Sequence, residues 1–123
     1  MAALLEAAKA TSGAAGGKRL LEPASLREMW SAQTAIAADD EFFGPVLGDR
    51  HFAAYGLGFT LSDYQGHKLV WHGGGMPGQF FWVMLVPDLD LGIVLLGNHE
   101  DYHGTMALTY HILDRYLGAP ATD

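Results

Sequence analysis

Cysteine is absent from this chain of 123 residues. That excludes disulfides, a thiolate nucleophile and cysteine-ligated zinc, and it leaves the compartment open. Basic residues are scarce: seven Lys and Arg stand against fourteen Asp and Glu, a formal net charge of −7. With no Lys/Arg stripe to displace counterions, nucleic acid is a poor partner. No apolar run reaches the roughly 18–20 residues that a membrane span needs. At the N-terminus, Glu6 and Lys9 interrupt the apolar core that a signal peptide requires, so Met1–Lys9 reads as a short helix, not an export signal. What the chain does have is apolar bulk, 50% hydrophobic against 17% charged. Such a composition supports a folded core, in one small domain or part of a larger one.

Residues 1–36 read as a helical lead-in. Residues 2–10 are strong helix formers, and Pro23 opens a second stretch with Leu26, Met29 and Trp30 at helical spacing. Residues 37–54 hold acids, Gly44, Pro45 and Gly48 without a period, and read as a loop. From 55 to 98 the pattern is an antiparallel sheet of about four strands: Tyr55–Leu61, Lys68–His72, Phe80–Val86 and Leu91–Leu96. A closing helix is expected over 101–118, with an apolar stripe at Leu108, Ile112, Leu113 and Tyr116 and a stop at Gly118. The fold class is α+β, an antiparallel meander flanked by N-terminal and C-terminal helices.

The last two strands are apolar at consecutive positions, so both of their faces should be buried. The closing helix can cover one face and the early helices part of the other. The remaining cover is expected from self-association, a partner chain or a missing N-terminal part of the domain.

Chemistry concentrates at Trp71-His-Gly-Gly-Gly-Met-Pro-Gly78. Three consecutive glycines leave backbone N–H groups unshielded, and donors of that kind build oxyanion holes. His72 directly before them can hydrogen-bond a ligand near neutral pH. The competing reading makes the glycines a bulge or strand bend with no ligand. None of Ser12, Ser25, Ser31 and Ser62 sits in a Gly-x-Ser-x-Gly elbow or precedes a lysine by three residues. His99-Glu-Asp-Tyr-His103 matches the zinc-peptidase pattern in letters. Asp101 as an N-cap would put His99 before the helix and His103 inside it, which breaks the required geometry. No cofactor is expected. Trp71, Phe80, Phe81 and Trp82 read as core aromatics, with a cleft lining as the alternative.

Tyr55-Gly-Leu-Gly-Phe59, the hairpin, Trp71-His-Gly-Gly-Gly-Met-Pro-Gly78 and Val94-Leu-Leu-Gly-Asn98 together resemble one family. They are similar to the C-terminal part of serine β-lactamase and penicillin-binding-protein-like hydrolases, of the class C β-lactamase, esterase and D-aminopeptidase type. Gly17–Trp30 resembles the helix preceding this region. The resemblance implies that His72-Gly73-Gly74 takes the third catalytic motif, Lys-Thr-Gly or His-x-Gly. It implies Gly75 N–H as one oxyanion donor, His72 at the substrate or catalytic hydroxyl network, and Gly73 and Gly74 against substrate. Gly73 departs from the threonine common there. The Ser-x-x-Lys and Tyr-x-Asn motifs do not occur in this chain. The expectation is therefore a segment of an ester- or amide-opening enzyme, with a small-molecule or peptide-like substrate in the full protein and no turnover alone. A non-catalytic binding or self-association module is the alternative, and a zinc hydrolase at His99 and His103 a third.

Overall fold

The computed structural model describes residues 14–15, 17–37 and 50–118. The helix expected over residues 2–10, and most of the loop expected over 37–54, lie outside them. A short ribbon pairs β1 (Ala14–Ala15) with β2 (Lys18–Arg19). Helix α1 (Pro23–Met29) follows, with proline in its first turn where the missing N–H costs nothing.

The rest is one six-stranded antiparallel sheet whose strands lie in chain order. It comprises β3 (Thr34–Ala35), β4 (Ala53–Tyr55), β5 (Thr60–Tyr64), β6 (His67–Met76), β7 (Gln79–Val86) and β8 (Leu91–Gly97). Helix α2 (Tyr102–Leu117) closes the chain. β6 and β7 meet at Pro77–Gly78, with Met76 paired to Gln79 and Gly78 at φ 80°. Proline before a positive-φ glycine is the chemistry of a type II turn. The sheet has six strands where about four were expected: β3 and β4 are two and three residues long, and the expected strand Tyr55–Leu61 divides into the end of β4, a bend and the start of β5. Strands so short show no period.

Both sheet faces are packed, by different helices. On one face α2 contributes Met106 and Leu113, which pack with Leu69, Trp71, Trp82, Met84, Val86, Leu91 and Ile93. On the other, Leu26 and Trp30 of the α1 segment pack with Ala54, Leu61, Val70 and Leu85. Strand alternation assigns each neighbour in Leu69-Val70-Trp71 and Met84-Leu85-Val86 to opposite faces. The consecutive apolar residues are thus two interleaved cores. Cover on the α1 face runs out toward β7 and β8, where the cross-strand pair Phe81 and Leu96 is 42% and 70% exposed.

The stripe expected on α2 is corrected by the structure. Leu113 is buried, but Leu108 and Tyr116 are exposed, and Thr105, Met106 and Thr109 face the core instead. The two threonines tolerate burial because each hydroxyl donates to the carbonyl four residues earlier. Thr105 Oγ1 reaches Asp101 O at 3.0 Å and Thr109 Oγ1 reaches Thr105 O at 2.8 Å.

Candidate functional site

β6 is the longest strand, and its two neighbours cover it unequally. β5 pairs with it only as far as Trp71, opposite Thr60. β7 continues from Val70 to Met76. Residues His72 to Met76 therefore carry a backbone edge with no β5 partner. On a regular strand Gly73 and Gly75 direct their N–H groups to one side, and His72, Gly74 and Met76 to the other.

The glycines are also a packing requirement. A Cβ on Gly73 would lie 2.5 Å from Trp82 Cε3, and one on Gly74 2.5 Å from Phe81 Cζ. On Gly75 it would meet Phe80 Cδ2 at 3.1 Å. The β7 rings lie across the bare strand, Trp82 and Phe80 on the α2 face and Phe81 on the α1 face. His72 alternates with Trp71 and Gly73, so its half-buried side chain belongs to the α1 face, opposite Val83.

Beside this edge lies a cleft of about 310 Å³. Its walls include Tyr55, Thr60, Trp71, Phe80, Trp82 and Tyr102, with the backbone of residues 72–75 alongside. Trp71 and Trp82 stack at 4.5 Å between centroids, and Phe80 meets Tyr102 edge-on at 5.3 Å. Such offset and edge contacts fix ring positions. Trp71 Nε1 donates to Ser62 Oγ at 3.1 Å, while the buried Trp82 Nε1 has no acceptor among the described residues. Burial raises the Tyr102 phenol above its ordinary value. At the β6–β7 turn, Glu100 Oε1 accepts from Gly78 N at 2.5 Å.

Tyr55, Thr60 and Tyr102 are the site residues that sequence reasoning missed. Tyr102 lies inside the histidine motif without belonging to its chemistry, and Tyr55 within Tyr-Gly-Leu-Gly-Phe is the one signal that pointed here. The serines stand elsewhere. Ser62 is fully buried as the partner of Trp71, and Ser31 Oγ donates to Arg27 O at 2.7 Å. Ser25 is exposed on α1, and Ser12 lies outside the described residues.

His99 and His103 are not on one helical face. α2 starts at Tyr102 with Asp101 as N-cap, which accepts from Gly104 N at 2.9 Å. His99 precedes the helix, where its Nδ1 accepts from Asp101 N at 3.0 Å. Among the described residues no three His, Asp or Glu side chains gather as a metal site.

Comparison with known proteins identifies the family. Over 101 residues the chain is 36% identical to an unguisins hydrolase from Aspergillus campestris, a match covering 80% of this chain and 17% of that protein. An unguisins hydrolase from Aspergillus violaceofuscus is 30% identical over 106 residues, covering 84% and 18%. The chain thus spans less than a fifth of these relatives' length. The octameric penicillin-binding protein homologue from Pyrococcus abyssi shares the fold with a TM-score of 0.65 at 19% identity. That match covers 83% of this chain and 21% of the homologue. The beta-lactamase family model matches residues 1–116. Its fold is shared with part of that penicillin-binding protein homologue, and the chain belongs to the beta-lactamase family.

Proposed function

We propose that this chain supplies one wall of an acyl-serine hydrolase site whose nucleophile comes from polypeptide outside these 123 residues. The observation that carries this reading is the open edge of β6 from His72 to Met76, beside the aromatic cleft. An acyl transfer places negative charge on the carbonyl oxygen as the hydroxyl attacks, and a fixed N–H at that oxygen stabilises the transition state more than the ground state. Gly75 N–H is the donor, on a residue with no side chain to shield it. Pairing to β7 holds the strand rigid, so the donor is placed before reaction. His72 contacts substrate or the hydroxyl network, and Gly73 and Gly74 let substrate approach the backbone.

The isolated chain is expected to show no serine-dependent turnover of nitrocefin or p-nitrophenyl esters. A chimera tests the rest: this chain replaces the corresponding segment of the Aspergillus campestris relative. Retained hydrolysis supports the reading, and a folded but inactive chimera defeats it. Within an active chimera, Gly75→Pro deletes the donor and should lower kcat by about 10²–10³.

The exposed Phe81 and Leu96 favour one second reading, a non-catalytic module that self-associates over the uncovered part of the α1 face. Light scattering after size exclusion decides it, since a monodisperse monomer is incompatible with self-association.

A further inference from the structure

We propose that the cleft beside β6 binds an uncharged aromatic side chain next to the bond that is opened, and discriminates against carboxylate-bearing ligands. The inference rests on the hydrolase reading and names the substrate class for that site. Four of the six side chains that wall the cleft, Trp71, Phe80, Trp82 and Tyr102, belong to one contiguous ring network. Ring centroids in it stand 4.5 to 6.4 Å apart, so the walls are stiff and present both faces and edges. A cleft of about 310 Å³ is at the small end for ligand pockets, suited to one ring.

Charge decides the second half of the proposal. No Lys or Arg is among the described residues lining the cleft. His72 contributes its backbone alongside the cleft, because its side chain belongs to the α1 face opposite Val83. Burial raises the Tyr102 phenol, which opposes its ionisation, and the chain carries a formal −7. A carboxylate entering this cleft would shed water without gaining a cation, which is costly. The polar groups that remain are the Thr60 hydroxyl and the backbone of residues 72–75. Both can pair with the amide of a neutral ligand.

The test uses the chain itself and needs no nucleophile, so it is independent of whether the chimera hydrolyses anything. N-acetyl-phenylalaninamide, N-acetyl-phenylalanine and N-acetyl-glycinamide are titrated while tryptophan fluorescence is followed, because Trp71 and Trp82 line the cleft. Saturable binding of the aromatic amide is expected, with the carboxylate at least tenfold weaker and the glycine amide not saturating. Phe80→Leu, checked for folding by circular dichroism, should weaken the aromatic amide about tenfold. Equal binding of amide and carboxylate overturns the proposal, and so does absence of saturable binding to the folded chain. If Phe80→Leu does not fold, the ligand series on the unaltered chain decides.

Discussion

Gly73 and Trp82 face each other across the β6–β7 pair so closely that a Cβ on Gly73 would stand 2.5 Å from Trp82 Cε3. The indole fills the volume that a larger side chain at this position would need. The two residues behave as one unit, a bare strand position and the ring that lies on it. Gly73→Ala should therefore destabilise by about 1–3 kcal/mol through overpacking. In a Trp82→Leu background the same change should cost much less. The difference is a coupling energy, read from a double-mutant cycle in urea, and a coupling near zero would show that the two sites are independent.

Asp63 on β5 organises the chain where it enters the sheet. Its carboxylate accepts from His51 N at 2.8 Å and Phe52 N at 3.1 Å, and pairs with His51 Nδ1 at 2.6 Å. Partial burial raises the carboxyl, but the hydrogen bonds from the His51 ring and the two backbone N–H groups outweigh it. The net result is a value below the ordinary 3.8. A carboxyl depressed on folding contributes stability above its unfolded value and loses it as pH falls through the folded one. Stability should accordingly decline below about pH 4. Asp63→Asn should be less stable at pH 7 and show a shallower decline on the acid side. Identical acid-unfolding curves for the two proteins would remove Asp63 from this role.

How much of this was legible follows from what each residue has to satisfy. β7 and β8 were legible because Phe80–Val86 and Leu91–Leu96 are strongly apolar; the structure buries Met84, Leu85 and Val86 on alternating faces but leaves Phe81 and Leu96 exposed. The glycine corner was legible as a place where backbone is approached closely. That the approaching groups include Trp82 and Phe81 was not, since cross-strand register is fixed by the whole sheet. Thr60 reaches the cleft through pairing to Trp71 of β6, and Tyr55 through pairing to Thr60, which leaves no local mark. On α2, Thr105 and Thr109 look solvent-facing until their hydroxyls are seen bonded back to the helix.

The inward face of α2 gives a direct comparison. Leu113 is fully buried against the sheet, whereas Leu108, one to two turns earlier, is 50% exposed. Leu113→Ala should cost about 2–5 kcal/mol, by lost transfer energy and the cavity left behind. Leu108→Ala should change stability by no more than about 0.5 kcal/mol. Reversal of that order in chemical denaturation would mean that the helix is rotated relative to the sheet.

Asp101 separates the two readings of the His99–His103 segment. As an N-cap it satisfies Gly104 N, and its carbonyl receives Thr105 N at 3.3 Å and the Thr105 hydroxyl. Asp101→Ala removes the side-chain acceptor and leaves an N-terminal donor to water, at a cost of about 1 kcal/mol. Gly104 fits this arrangement closely, since a Cβ there would stand 2.3 Å from Asp101 Oδ2. The cap reading makes the loss independent of metal. The thermal midpoint of Asp101→Ala should fall by the same amount with EDTA as with added zinc, and His99→Ala should show no zinc dependence either. A midpoint that rises with stoichiometric zinc in the parent chain, and fails to rise in both variants, would instead assign these residues to a metal site.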